Sequence, residues 1–206
     1  MCGIVGYSGA SRPGQRERFI ALCAEARIRG EHAYGIAWHG QDGLHVFKSL
    51  DFGEVMNAVP DPLPERIIFH NRYSTSGDYR DMRNNQPIHV NGAALVFNGT
   101  VDMGTKAQME RRYGIRMETE NDGEIVMRDI ERGEPFAHIG STHTAFAGMF
   151  LDSGGRMFAL RNGMRPLWAA DESGDKWLVS TRDIALRAKF GVNYFTPVKP
   201  FRILEL

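Results

Sequence analysis

The chain has 206 residues, 25 Lys and Arg against 25 Asp and Glu, and 42% hydrophobic content. Zero formal net charge excludes a global field that would draw it to nucleic acid or to a membrane surface, and no apolar run is long enough to span a bilayer. Two cysteines are too few for a disulfide scaffold, and the N-terminus lacks a basic segment followed by an apolar core, so one soluble, reduced, cytoplasmic domain over residues 1–206 is expected.

Cys2–Tyr7 reads as a buried strand, and Gln15–Arg27 carries apolar residues near helical spacing. Tyr34–Trp38 and Leu44–Lys48 flank a hairpin turn at His39-Gly40-Gln41-Asp42-Gly43. Asp61-Pro62-Leu63-Pro64 reads as a loop, and a strand Arg66–Asn71 enters Arg72-Tyr73-Ser74-Thr75-Ser76-Gly77. The polar stretch Tyr79–Gln86 is expected at the surface, and Ala93–Phe97 reads as a strand stopped by Asn98-Gly99. Helices are expected at Lys106–Tyr113 and Gly123–Glu131, and a second hairpin at Ala145–Asp152 and Arg156–Arg161 around Ser153-Gly154-Gly155. A strand Trp177–Ser180, a helix Arg182–Ala188 and the segment Phe201–Leu206 close the chain. Strands in runs, rather than alternating with helices, argue for an α+β sandwich and against a doubly wound parallel sheet.

The segment that points to chemistry is Met1-Cys2-Gly3-Ile4-Val5-Gly6. Removal of Met1 would give Cys2 both a thiol and a free α-amine. The thiol titrates at about 8.5 and the amine at about 8, so one residue would hold a nucleophile and its own base. The bland alternative is a small buried residue opening a core strand. Four further segments accompany Cys2 in order: Arg29-Gly30, the Arg72–Gly77 loop, Asn98-Gly99, and Asn121-Asp122-Gly123-Glu124. Each alone has a structural reading, as a turn or as surface charge.

Taken together, in this order and over nearly the full length, these segments resemble the class II glutamine amidotransferases. That family's glutaminase domain has the N-terminal-nucleophile hydrolase fold, which implies a four-layer αββα sandwich of two mostly antiparallel sheets. The resemblance implies that Cys2 attacks the side-chain amide of glutamine, forms a γ-glutamyl thioester and releases ammonia, with its α-amine carrying the proton. Asn98 and Gly99 would hold the oxyanion. Arg72 would pair with the substrate α-carboxylate through a planar fork that lysine lacks, Thr75 would add a hydroxyl contact, and Asp122 would bind the α-ammonium, with Gly123 contributing backbone. Arg29 and Gly30 would support the nucleophile from the side. Arg161-Asn162-Gly163-Met164-Arg165-Pro166-Leu167 resembles another family segment and reads as a structural turn. The chain departs from the family pattern at Phe97, Glu31-His32, Tyr73, Ser76 and Gly123.

No cofactor and no metal are expected: the seven histidines and two cysteines lack metal-ligand spacing, and Cys23 reads as a core residue. No domain that would accept ammonia follows the glutaminase-like segment, so the expected partners are glutamine and a separate synthetase or acceptor subunit, with self-association left open. Two other readings remain: an N-terminal-nucleophile amidohydrolase acting on another γ-glutamyl or small amide, and a non-catalytic binding or regulatory relative.

Overall fold

The computed structural model describes residues 1–74, 77–140, 143–190 and 195–206. In chain order the elements are β1 (Gly3–Ser8), α1 (Gln15–Ala26), β2 (Ala33–Gly40), β3 (Gly43–Ser49), α2 (Phe52–Asn57), β4 (Arg66–Arg72), β5 (Ile88–Val90) and β6 (Ala93–Thr100). There follow α3 (Lys106–Tyr113), α4 (Gly123–Glu131), β7 (Ala145–Leu151), β8 (Met157–Arg161), β9 (Trp168–Glu172), β10 (Asp175–Val179), α5 (Arg182–Arg187), β11 (Thr196–Pro197) and β12 (Ile203–Glu205). Single 3-10 turns occupy Arg27–Arg29 and Met82–Asn84.

Two antiparallel sheets result, one of seven strands in the order β11-β9-β10-β1-β4-β2-β3 and one of five in the order β12-β8-β7-β6-β5. Their facing sides share a core that includes Ile4, Ile68, Ala94, Val96, Met149 and Leu178. The outer side of the larger sheet packs under α1, α2 and α5 through Val5, Phe19, Phe69, Trp177 and Ile184. The outer side of the smaller sheet packs under α3 and α4 through Leu95, Phe97, Met109 and Ile125. This is the expected four-layer αββα sandwich. Layering explains the sequence of β1: covered on both sides, all six of its residues are buried, so it shows no polar alternation. In β4, Ile67 and Phe69 turn toward the helices while Ile68 turns toward the facing sheet, as the two-residue period of a strand requires.

The helices follow their local signals. Phe19, Leu22, Cys23 and Ala26 give α1 a buried stripe at helical spacing. The Gln108 side chain accepts from the Thr105 amide at 2.8 Å, and Asp51 accepts from Glu54 N at 3.0 Å to cap α2, a helix the sequence reading had as no element. Two expectations are corrected. Asn98-Gly99 does not stop its strand: β6 runs on to Thr100, with Asn98 opposite Ala147 and Gly99 opposite Phe146. The polar run Tyr79–Gln86 lies at the surface only as far as Arg83: Asn84, Asn85 and Gln86 are buried. No helix among the described residues is long and apolar enough to cross a membrane.

Candidate active site

The N-terminal end of β1 sits in the middle of the larger sheet, against β4 on one side and β10 on the other. Gly3 lies so close to β4 that a Cβ there would stand 2.1 Å from Asn71 Oδ1 and 2.7 Å from the Ala26 carbonyl. The same crowding holds the 3-10 turn in place: Asn71 Nδ2 donates to the Gly30 carbonyl at 2.7 Å, and a Cβ on Gly30 would strike the Arg72 backbone at 2.5 Å. Arg29 Nε then donates to the Cys2 carbonyl at 2.9 Å. Arg29 and Gly30 thus lie beside Cys2 and Arg72.

Cys2 is buried except for a small face, whereas Met1 is 60% exposed. The Tyr73 amide points at Cys2 Sγ from 3.4 Å. Burial pushes the Cys2 thiol up from its ordinary value, and the Tyr73 backbone, the N-terminal amine, Arg72 and Arg29 oppose that shift without overcoming it. The backbone nitrogen of Cys2 donates across the sandwich to Asn98 Oδ1 at 3.1 Å. The other end of that amide, Asn98 Nδ2, is buried and has no hydrogen-bond partner among the described residues. An unpaired buried donor is costly, and this one lies on the same side-chain amide that receives the Cys2 nitrogen.

Gly99 carries the strand past a close approach, with φ of 156°. A Cβ there would lie 1.8 Å from the Ala145 carbonyl. β5 pairs with β6 only as far as Leu95, and Gln86 completes the edge beyond it by accepting from Phe97 N at 2.6 Å. On the other side, Asn162 fixes the start of β7: its Oδ1 accepts from Phe146 N at 3.1 Å, and its Nδ2 donates to Thr144 O at 2.9 Å and Ile139 O at 3.0 Å. The turn segment therefore braces the strand opposite Gly99.

Arg72 ends β4 two residues beyond His70 and is buried. Its Nη1 donates to Asn84 O at 2.7 Å and Asn85 Oδ1 at 2.6 Å, and its Nη2 to Gly77 O at 3.3 Å. Burial lowers its pKa, and the charges of Cys2 and Asp122 work in the opposite direction. Asp122 is buried at the start of α4, and burial raises its pKa against the pull of two amides: Val101 N and Asp102 N donate to Oδ2 at 2.6 and 3.1 Å. Those amides belong to the chain just leaving β6, so Asp122 is tied to the Asn98-Gly99 strand. Gly123 packs on Phe97, whose ring a Cβ would meet at 2.1 Å. Thr75 lies outside the described residues.

The structure thus gathers Cys2, Asn98, Gly99, Arg72, Asp122 and Gly123 at one end of the sandwich. It adds Asn84 and Asn85, which the sequence reading missed, and gives contacts to Asn121 and Glu124, which that reading named only as part of a segment. Asn84 and Asn85 receive Arg72, and Asn121 Nδ2 donates to the Asn84 carbonyl at 2.9 Å. Glu124, fully buried, accepts from Glu118 N at 2.7 Å and Thr119 N at 2.9 Å and so fixes the loop before Asp122. No local signal marks Asn84 and Asn85: an amide run such as Asn84-Asn85-Gln86 is ordinarily solvated, and its burial follows only from partners distant in the chain. A cleft of about 920 Å³, lined in part by Met1, Arg29, His32 and Tyr73, opens beside the Cys2 end of β1. A cavity of about 540 Å³ lined by Phe150, Phe158 and Leu160 lies on the outer side of the smaller sheet, apart from these groups. Among the described residues no group of three or more His, Cys, Asp or Glu could hold a metal ion.

No family model matches the chain. The glutamine–fructose-6-phosphate aminotransferase of Bacillus licheniformis is 28% identical over 135 residues, 64% of this chain and 22% of that protein. The enzyme of the same name from Halalkalibacterium halodurans is 27% identical over 151 residues, 71% of this chain and 24% of that protein. The chain therefore spans less than a quarter of the length of these curated relatives. Among solved structures, glutamine phosphoribosylpyrophosphate amidotransferase from B. subtilis superposes with a TM-score of 0.75 at 20% identity, covering 99% of this chain and 47% of that one. A glutamine aminotransferase class-II domain protein from Silicibacter pomeroyi superposes with a TM-score of 0.55 at 14% identity, covering 99% of this chain and 94% of that one. Sequence and fold together identify the chain as a relative of the class II glutamine amidotransferases, built on their N-terminal-nucleophile hydrolase fold.

Proposed function

We propose that this chain works as one glutaminase domain that hydrolyses glutamine to glutamate and ammonia, with Cys2 as nucleophile once Met1 has been removed. The observation that carries the reading is the Asn98 amide: its Oδ1 accepts from the Cys2 nitrogen at 3.1 Å while its buried Nδ2 has no partner among the described residues. Excision of the exposed Met1 turns that same nitrogen into an α-amine, already oriented. The amine takes the proton from Sγ, which matters because burial disfavours the thiolate. Sulfur bonds to the δ-carbon of glutamine, and the oxyanion that forms is held by Asn98 Nδ2 and the Gly99 amide, each worth about 3–4 kcal/mol to the transition state. The carbon–nitrogen bond then breaks, and ammonia leaves with the proton returned by the amine. Water adds to the γ-glutamyl thioester, and glutamate departs as the thiol is restored.

Recognition in this reading falls to the two buried charges. Arg72 pairs with the α-carboxylate and Asp122 with the α-ammonium, and Thr75 and Gly123 complete that end. Arg29 and Gly30 steady the nucleophile by holding the Cys2 carbonyl and the turn beside it. Ammonia passes to an acceptor or synthetase subunit, and the two thiol-only cysteines fit a reducing cytoplasm. The test is intact mass for loss of Met1, followed by glutamate release from glutamine beside a Cys2→Ala control. Release abolished in Cys2→Ala is the expected result. A processed protein that releases no glutamate, or whose Cys2→Ala variant still does, overturns the reading.

A further inference from the structure

Lys48 stands near the end of β3, the edge strand of the larger sheet, where a hairpin strand ordinarily turns such a side chain to water. Here its stem is half-buried, and Nζ donates to the Asn85 carbonyl at 2.7 Å and the Met82 carbonyl at 3.1 Å. These are the two ends of the turn that receives Arg72. Asn85 is held at both of its oxygens, by Lys48 at the main chain and by Arg72 at the side chain, 2.6 Å from Nη1. Asn84, between them, gives its carbonyl to Arg72 at 2.7 Å.

Setting a second cation beside a buried arginine is unfavourable. Burial and Arg72 lower the Lys48 pKa to about 8, with Asp81 alone opposing. A position that needed only to fill space would be better served by an apolar side chain. What the ammonium supplies is two donors aimed at main-chain oxygens of a segment that no strand ladder holds.

We infer that Lys48 is a positioning residue for substrate recognition: by anchoring the Met82–Asn85 turn to β3 it fixes the direction from which the Arg72 guanidinium meets the α-carboxylate of the substrate. The inference rests on the glutaminase reading above. It places Lys48 outside the reacting atoms, so its removal changes binding of the carboxylate and leaves the chemistry at Cys2 alone.

The experiment compares processed full-length wild type with Lys48→Met, Lys48→Gln and Lys48→Arg. Each is assayed for glutamine KM and kcat. Each is also treated with iodoacetamide, which lacks a carboxylate, in the presence of increasing glutamate to protect Cys2. Lys48→Met is expected to raise KM and the half-protecting glutamate concentration about tenfold, with kcat and the unprotected alkylation rate within about twofold. Lys48→Arg, which keeps a charged donor, should recover most of that loss, and Lys48→Gln serves in place of Lys48→Met if the latter does not fold. Unchanged KM and protection, or an equal fall in kcat and alkylation rate, overturns the inference while an active wild type leaves the glutaminase reading standing. A wild type without Cys2-dependent glutamate release overturns both.

Discussion

Cys2 stands just before β1 and Asn98 near the end of β6, and those strands face each other from different sheets; β1 is paired with β4 from Gly3 and with β10 from Val5, while Asn98 is paired with Ala147 of β7 on one side, Gln86 closing the other side at Phe97. Arg72 and Asp122 are held otherwise. Their surroundings are the turn at Met82–Asn85 and the loop before α4, and what fixes these is side chains reaching main-chain groups: Lys48, Asn121 and Glu124. A ladder distributes its strength over many bonds and cannot shift at one residue without shifting the sheet. A loop pinned by single side chains depends on each, at about 1 kcal/mol per neutral bond and about 1.5–3 kcal/mol where a charge takes part. The end proposed to react is therefore carried by two strands within their sheets, and the end proposed to recognise the substrate is fixed only by the sum of a few replaceable contacts.

The comparison breaks most visibly at Asn98. Asn98→Ala removes the unpaired Nδ2 and the acceptor for the Cys2 nitrogen while leaving the β6 ladder, so kcat should fall about 10²–10³-fold with KM within about threefold. Steady-state kinetics on the processed protein check this. A loss carried mainly by KM would mean that Asn98 binds the ground state, and the division between a reacting and a recognising end would collapse.

Arg72→Lys tests the other end. Lysine keeps the charge but cannot bond Asn84 O and Asn85 Oδ1 while presenting a planar fork. KM for glutamine should rise about 10–100-fold with kcat changed far less. A thermal melt taken alongside separates lost recognition from lost folding, since Arg72 is buried. A kcat deficit larger than the KM change would show that Arg72 serves the reacting carbon.

The same division governs what was legible in the sequence. Cys2, Asn98-Gly99 and Arg72 can be found because each lies in a short contiguous pattern whose order along the chain is informative. The layers were legible too, since β1 and β4 carry the apolar runs that strands covered on both sides require. What could not be read was the wiring of the loops. Lys48 and Asn85 are 37 residues apart, and Asn84 and Asn121 are also 37 apart; no local spacing rule connects them. Asn98-Gly99 misled for a local reason: the pair favours a turn in isolation, but glycine is needed here for the clearance from the Ala145 carbonyl, and the strand continues. Polar residues at 84–86 read as solvated for the same kind of reason, because burial of an amide is visible only once its partner is known.

The smallest effect falls on the strand-borne end and is read through pH. His70 is fully buried between the sheets, and among the described residues neither ring nitrogen reaches a partner in hydrogen-bonding geometry. Burial first, then the charges of Arg72 and Lys48, hold its pKa well below 6.5, against a weaker opposing influence of the Phe97 backbone. Below pH 6.5 the unfolded chain takes up a proton at this position that the folded one refuses. Stability is therefore lost as pH falls through that range, by at most about 1.4 kcal/mol per pH unit. Urea midpoints at pH 7 and 5.5 should differ less in His70→Leu than in wild type, and equal differences would sink the assignment. Because the ring stays neutral for as long as the sheets stay packed, KM for glutamine should not follow His70 over this interval. A shared pH dependence of stability and KM would mean instead that the interior beside Arg72 opens without unfolding, and that the reacting end is no stiffer than the loops around it.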